Sequence, residues 1–299
     1  MEMFSDSHEL DWLVERLVPE PPPDAERQRE LEDIHRYLDD LVQEQGGVIE
    51  EGTPIVSYCG LDAEGWESSA WILHAIYETG SLPGGITYDD VDQIERATGT
   101  GTYSLEGKSD RDRRIDEAVS ELTAEGATLS VHYDGWLGPG WTRLPWIELW
   151  RRLAVDPALL EGYPCFAWFP YRSWPVSIAP PREGSLDREQ FERMLIHLEE
   201  ASPRGGATSC IASYGACAIG EFDHDVLYRG SLRDIRSLFD REELSGSPSN
   251  FWPEDRSWLV YTDWDLWATK VSGTGTLIER LESDPELEIA QLPFPSATV

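Results

Sequence analysis

Lysine is almost absent from this sequence, and positive charge of any kind is scarce. Lys108 and Lys270 are the two lysines, and 24 basic residues stand against 57 acidic ones, for a net charge of −33. Such an excess of carboxylates repels nucleic acid phosphates and anionic membranes. The composition therefore argues against direct DNA or RNA binding and favours a basic protein partner.

The acidic residues are concentrated towards the start of the chain. The first third carries more than half of the negative excess. A partner-binding role explains this charge, but so does an origin in an arginine-rich, lysine-poor proteome such as that of a salt-loving microbe. Both explanations stay open at the level of sequence.

The chain also lacks long apolar runs and a cysteine framework. No apolar run approaches the ~20 residues of a membrane span, and Met1 to Asp11 is acidic, unlike a secretory signal. The four cysteines include no C-x-x-C spacing, which disfavours both a disulfide framework and a zinc site. We therefore expect a cytoplasmic protein without membrane association, without a metal site and without a cofactor.

The most informative stretch is residues 256–283. Trp258 to Tyr261 is a continuous apolar run rich in aromatic and β-branched residues, which predicts a central strand buried on both faces. Thr262-Asp263-Trp264-Asp265 is typical of a turn, and Leu266 to Val271 predicts the second strand of a hairpin. A capping box at Thr276-x-x-Glu279 then predicts a helix that packs on this hairpin through Leu277, Ile278 and Leu281.

Two similar patterns occur upstream. The predicted strands are Phe166 to Phe169, Trp174 to Ile178, Cys210 to Ile219 and Val226 to Tyr228. The helices that follow them begin at Asp187-x-x-Gln190 and Ser231-x-x-Asp234. Gly-Ser/Thr-Leu triplets at Gly184, Gly230 and Gly275 lie 46 and 45 residues apart, a spacing that internal repetition of a ββα unit would produce. The alternative is that packing alone returns the chain to a hairpin followed by a helix.

The rest of the chain predicts further helices and strands, and the whole is an α+β fold of antiparallel hairpins covered by helices. Helices are predicted at 7–18, 24–44, 66–77, 89–96, 111–125 and 144–153, and strands at 53–59 and 128–133. The helix at 66–77 is predicted to turn Trp71 and Ile76 inward, and the helix at 144–153 to turn Trp146, Ile147 and Trp150 inward. The predicted division is an acidic helical segment at 1–45, an α+β domain at 46–158 and a ββα domain at 159–299. The alternative is one continuous domain across the last two.

Two Asp-x-Asp pairs are the most suggestive candidates for chemistry. Asp263-x-Asp265 and Asp223-x-Asp225 follow predicted strands, where paired carboxylates can hold a divalent cation in a transferase or hydrolase. Asp is also a favoured turn residue, so each pair has a purely structural explanation. Gly60 and Gly65 have the spacing of a phosphate-binding loop, but Trp66-Glu67 replaces the required Lys and Ser/Thr.

Exposed aromatic residues indicate a binding surface instead. Trp264 lies in a predicted turn, and Trp136 and Trp141 lie in a Gly-rich segment, where burial is difficult. His224, between two aspartates, is a candidate for titration near neutral pH, with an ordinary surface histidine as the alternative. Tryptophan dominates the energetics of many interfaces, and carboxylates steer a basic partner towards them.

Residues 250–258, with the sequence NFWPEDRSW, together with Thr262-Asp263-Trp264-Asp265 and the Gly275 helix, resemble segments of uncharacterised actinobacterial proteins. Some acidic, cytosolic families of this kind are similar to immunity proteins that neutralise toxins. The resemblance implies an inhibitor of the immunity or antitoxin type that masks a basic toxin or effector. The alternatives are a metal-assisted transferase or hydrolase that uses the Asp-x-Asp turns, and a mobile-element inhibitor of a host defence complex.

Overall fold

The computed structural model describes residues 1–4, 9–16, 62–82, 85–88, 137, 140–156, 163–165, 174–215, 226–241, 244 and 246–291. Within these ranges the chain is α+β, as predicted, with antiparallel strands in two sheets and helices packed against them. No helix in the described part of the chain is long and apolar enough to cross a membrane.

Eleven strands account for most of the described secondary structure. They are β1 (Glu2–Phe4), β2 (Ser68–Leu73), β3 (Ile76–Thr79), β4 (Trp141–Leu144), β5 (Ile178–Ala179), β6 (Ser209–Tyr214), β7 (Val226–Ser231), β8 (Asn250–Pro253), β9 (Leu259–Thr262), β10 (Ala268–Gly273) and β11 (Ile289–Ala290). Eight form one sheet in the order β1-β7-β6-β8-β9-β10-β2-β11, and three form a second sheet in the order β4-β3-β5.

Short helices connect and cover these strands. They are α1 (Asp11–Val14), α2 (Trp146–Leu153), α3 (Arg188–Ala201), α4 (Arg236–Phe239) and α5 (Gly275–Glu282), and 3₁₀ turns lie at Gly205–Ala207 and Leu232–Ile235. The predicted helix at 7–18 is therefore reduced to α1 in its described part. The predicted helices at 24–44, 89–96 and 111–125 and the predicted strands at 53–59 and 128–133 lie outside the described residues.

The predicted central hairpin is confirmed. All four residues of β9 are buried, and Val260 pairs with Phe251 of β8 on one side and Val271 of β10 on the other. The apolar residues of α5 are buried against the sheet, as the pattern indicates. The predicted capping box of Thr276 and Glu279 is wrong, because the N-cap of α5 is Thr274, whose side chain accepts the hydrogen bond from the Leu277 N–H.

A second hairpin followed by a helix is observed at β6 and β7. The capping box of Ser231 and Asp234 forms as predicted and opens the 3₁₀ turn that leads into α4. The helix predicted at Asp187 is α3, and Asp187 caps it by accepting a hydrogen bond from the Gln190 N–H.

The strand predicted at 174–178 is largely wrong. Pro175 forms an isolated antiparallel bridge with Thr87, and the regular strand begins only at β5, which pairs with β3 in the small sheet. Between them the chain turns, with a backbone hydrogen bond of 2.9 Å from the Ile178 N–H to the Pro175 oxygen. The strand predicted before it, at 166–169, lies outside the described residues.

The predicted helix at 66–77 is wrong. This segment forms β2 and β3, and β2 pairs with β10 and β11. The run Ala70-Trp71-Ile72-Leu73 is buried on both faces of the sheet, so it lacks the alternation that would have identified it as a strand. His74 and Ala75 lie between β2 and β3, and there the chain crosses from the large sheet to the small one.

The two faces of the large sheet carry different cores. Helices α3 and α5 pack on one face, over an apolar cluster that includes Phe191, Leu198 and Val260. On the other face α2 and the small sheet enclose a tryptophan-rich cluster around Trp71, Trp146 and Trp267, and α1 covers a third cluster around Trp252.

The prediction that Ile147 points inward is wrong. Its side chain is 65% exposed, whereas Trp146, Leu149 and Trp150 form the buried face of α2. In an eight-residue helix, positions 146, 149 and 150 share one face, and position 147 lies well outside it.

The large sheet takes strands from all three predicted segments of the chain. β1 lies at 2–4, β2 lies at 68–73, and the remaining strands lie between 209 and 290. The division at 1–45, 46–158 and 159–299 stays a prediction.

Candidate functional site

The sequence singles out eight candidate binding residues, and four of them fall in the described part of the chain. Trp136, Asp223, His224 and Asp225 lie outside the described residues. Trp141 begins β4 in the small sheet and is half-buried. Asp263, Trp264 and Asp265 lie together in the turn between β9 and β10, which we call the Trp264 turn (residues 263–267).

The Trp264 turn is shaped by Asp263. Its carboxylate Oδ1 accepts a hydrogen bond from the Asp265 N–H at 3.0 Å, and its backbone oxygen accepts one from the Leu266 N–H at 3.2 Å. Its Oδ2 accepts a further hydrogen bond from the hydroxyl of Tyr261 at 3.4 Å. These contacts are those of an aspartate that folds its own turn, so the structural explanation accounts for Asp263.

Neighbouring segments hold the Trp264 turn from two sides. The Gly184 N–H donates to the oxygen of Leu266 at 3.1 Å, and the Trp267 N–H donates to the oxygen of Pro164 at 2.7 Å. Gly184 adopts a left-handed conformation with φ of 68°, and a Cβ at this position would lie 2.7 Å from the Cα of Trp264. The backbone of the turn is therefore fixed by close packing and hydrogen bonds to these two segments.

The side chain of Trp264 extends from this fixed backbone into solvent. It is 47% exposed, as the sequence predicts, and Asp265 beside it is exposed as well. Glu183, next to Gly184, accepts a hydrogen bond from the indole N–H of Trp267 at the end of the turn, at 3.2 Å. The turn thus presents one large exposed aromatic side chain with the exposed carboxylate of Asp265 next to it in the chain.

A buried polar chain supports the base of this turn, and no local sequence pattern indicates it. The Nδ1–H of His74 donates to the oxygen of Arg182 at 2.6 Å, so its Nε2 accepts from the hydroxyl of Thr269 at 3.0 Å. The Thr269 hydroxyl in turn accepts from that of Thr262 at 2.8 Å. Burial lowers the pKa of His74 to about 3, so the imidazole stays neutral and joins β10 to the segment that carries Gly184.

A second cluster of ionisable side chains lies in a groove of about 540 Å³ between α3 and α5. The buried carboxylate of Asp284 accepts hydrogen bonds from Arg193 Nε and His197 Nε2, each at 2.5 Å, and from the Glu286 N–H at 3.0 Å. Burial opposes ionisation of Asp284, but these hydrogen bonds outweigh it and lower its pKa to about 2. No local sequence pattern connects Asp284 with α3, so the sequence gives no signal for this cluster.

The His197 and Asp284 pair is not arranged for proton transfer in the groove. With Nε2–H donated to Asp284, the nitrogen that would act as a base is Nδ1. That atom is buried and has no hydrogen-bond partner among the described residues. A general base must reach the proton that it removes, so the geometry supports a structural role for this pair.

The described ranges contain no group of three or more His, Cys, Asp or Glu side chains placed to hold one metal ion. Cys210 is fully buried, and desolvation raises the pKa of its thiol to about 12, which makes it a poor nucleophile. The other described cysteine, Cys165, is half-buried. Cys59 and Cys217 lie outside the described residues.

No protein-family model, curated protein or solved structure matches the chain. Among the described residues, the Trp264 turn combines a fixed backbone with an exposed aromatic side chain.

Proposed function

We propose that the protein binds a basic protein partner through the Trp264 turn, as an inhibitor of the immunity or antitoxin type. The observation that carries this proposal is the 47% exposure of Trp264 between two aspartates on a rigid turn. The net charge of −33 supports the choice of a basic partner.

The rigidity of the turn favours binding. Ordering of loops and side chains on association is unfavourable and weakens binding. An aromatic side chain on a backbone that is already ordered therefore binds at a lower entropic cost. The hydrogen bonds from Gly184 and Trp267 and the close approach at Gly184 provide this preorganisation.

The carboxylates of the turn would act mainly on the rate and selectivity of association. Negative groups around an aromatic contact steer a positively charged surface towards it and penalise acidic competitors. Asp265 suits this role, because its backbone N–H completes the turn while its side chain is exposed.

The first test is affinity capture by the tagged full chain from the organism that encodes it, at low and at high salt. We expect the wild type to retain one basic protein stoichiometrically and to release it as salt rises. Trp264→Ala should lose this protein, and Asp265→Asn should retain less of it.

Ile147→Ala is the matched control, because it also removes an exposed apolar side chain but lies on α2. If Trp264→Ala retains the partner as well as the wild type and Ile147→Ala do, the Trp264 turn is not the binding surface. The inhibitory part of the proposal is tested by producing the captured protein in a sensitive host. Production of the captured protein alone should stop growth, and production of the wild-type chain together with it should restore growth. If the captured protein alone leaves growth unimpaired, the immunity assignment is wrong.

A further inference from the structure

The three methionines of the chain differ in how far their side chains are exposed, and all three lie in the described residues. Met194 of α3 is fully buried in the core beneath that helix, and Met1 is half-buried and packs against the same core. Met3 of β1 is 66% exposed, the largest exposed fraction among the large apolar side chains in the described part of the chain. The thioether of Met3 is therefore the one that is open to reagents in solution.

The pairing of β1 holds this exposed position. Met3 pairs with Tyr228 of β7, and β1 forms one edge of the large sheet among the described strands. The side chain of Met1 approaches Gly230 so closely that a Cβ there would lie 2.7 Å from the Met1 Cγ, and Arg241 donates a hydrogen bond to the Met1 oxygen at 3.4 Å. The first residue of the strand segment is thus packed in place, while the side chain of the third extends into solvent.

We propose that Met3 is a site of reversible oxidation by hydroperoxides, which convert its thioether to a sulfoxide. With hydrogen peroxide, the sulfur donates an electron pair to one peroxide oxygen, an S–O bond forms as the O–O bond breaks, and the second oxygen leaves as water. The sulfur is oxidised and the peroxide is reduced. Methionine sulfoxide reductases reverse this modification, with one enzyme for each sulfoxide epimer.

The exposure of Met3 makes the modification compatible with the fold. A sulfoxide is polar and disrupts packing when it forms in a core, which would be its effect at Met194. At Met3 the added oxygen is hydrated in the folded state as well as in the unfolded state, so the change in stability is small. Oxidation of Met3 therefore alters the surface of the edge strand without unfolding the chain.

Met3 is remote from the proposed partner site. In the order of the large sheet, β7, β6 and β8 lie between β1 and β9, so β1 and β9 are four strand spacings apart, or about 19 Å. The Trp264 turn follows β9. Oxidation of Met3 should leave capture of the proposed partner unchanged, so failure of one proposal does not affect the other.

The test is treatment of the folded full chain with hydrogen peroxide, followed by tandem mass spectrometry of its peptides. We expect Met3 to gain one oxygen on the order of tenfold faster than Met194 or more, because a buried thioether reacts only when the structure opens. Met1 should react at an intermediate rate. In urea the three rates should become similar, since no side chain is then shielded. Incubation with both epimer-specific reductases should remove the oxygen from Met3.

Met3→Leu is the test variant, because leucine has a similar volume and no sulfur. It should lose the rapid first addition of oxygen, whereas the matched control Met194→Leu should keep it, with the fold of both variants checked by circular dichroism. The proposal is overturned if Met194 reacts as fast as Met3 in the folded wild type, or if Met3→Leu gains its first oxygen at the wild-type rate. Oxygen that stays on Met3 after treatment with both reductases would overturn the reversibility of the modification.

Discussion

At the scale of single residues, buried polar side chains determine much of the local geometry. His74 is fully buried, yet both of its ring nitrogens are hydrogen-bonded, and its backbone oxygen accepts a hydrogen bond from the indole of Trp146 at 2.8 Å. Burial without hydrogen bonds would cost a polar side chain a few kcal/mol. His74 therefore ties α2, β10 and the Gly184 segment to one point.

Asp284 makes the stability of the protein dependent on pH. Its folded-state pKa of about 2 lies below the ordinary value, so it stabilises the fold above pH ~4 and loses this effect as pH falls towards 2. We expect Asp284→Asn to lower the free energy of unfolding by about 2 kcal/mol at pH 7. The difference from the wild type should shrink as pH approaches 2, as measured by urea denaturation.

The control for this prediction is Asp240→Asn, which breaks an exposed ion pair with Arg188. Exposed pairs contribute little, so the expected change is below about 1 kcal/mol. If Asp284→Asn changes stability by the same amount at pH 7 and at pH 2, ionisation of Asp284 is not the cause.

Lys270 provides a second prediction at this scale. Its Nζ lies 2.6 Å from Oδ1 of Asp62, and both side chains are mostly buried. Burial raises the pKa of Asp62 despite the opposing effect of Lys270. We expect Lys270→Met to destabilise the protein by roughly 2–4 kcal/mol, because it leaves a buried carboxylate without its cation.

A double variant separates the charge effect from loss of packing. In Asp62→Leu/Lys270→Met neither charge remains, so most of the stability should return. If the double variant is less stable than Lys270→Met, the loss of stability comes from lost packing of the two side chains and not from an unpaired charge. Urea denaturation of the three proteins at one pH makes the comparison.

At the scale of elements, the Trp264 turn depends on a glycine in another segment. Gly184→Ala adds a Cβ that would lie 2.7 Å from the Cα of Trp264, at a φ of 68° that favours glycine. We expect a loss of about 2 kcal/mol or more in the free energy of unfolding. Weaker binding of the proposed partner should accompany it, because the turn loses its support.

Gly80→Ala is the matched control for this substitution. Gly80 has open space around its Cβ position and no positive φ, so the change should be below about 0.5 kcal/mol. Equal stability of the two variants in chemical denaturation would show that the contact between Gly184 and Trp264 does not constrain the turn.

The elements that the sequence predicts well are those with local signals. The Trp258 run, the cap at Asp187 and the Ser231 capping box each lie within a few residues, and all three give the expected structure. The strand β2 was missed because burial on both faces removes its periodicity. The pairing of Asp284 with α3 was missed because it joins side chains 87 or more residues apart.

In the candidate site, too, only the features with a local sequence signal were predictable. Asp and Trp in a turn between two apolar runs indicate an exposed aromatic side chain, and Trp264 confirms this. The fixation of the turn by Gly184 and Pro164 depends on contacts between distant segments, which no local pattern reports.

At the scale of the whole molecule, the net charge of −33 affects the stability of the folded state. Like charges repel one another most strongly when the chain is compact, so the folded state loses free energy relative to the unfolded state. Salt screens this repulsion, since the Debye length falls from about 10 Å at 0.1 M to about 3 Å at 1 M. We therefore expect Tm to rise by several degrees between 0.05 M and 1 M sodium chloride in differential scanning calorimetry.

The same experiment at pH 4 provides the control. Protonation of many exposed carboxylates reduces the negative charge, so the rise of Tm with salt should become smaller. A Tm that stays constant or falls with salt at pH 7 would show that the acidic side chains are spaced widely enough to avoid strong repulsion. The proposed basic partner would then have to be recognised by the local charge of the Trp264 turn, and the effect of Asp265→Asn on binding of that partner should be larger.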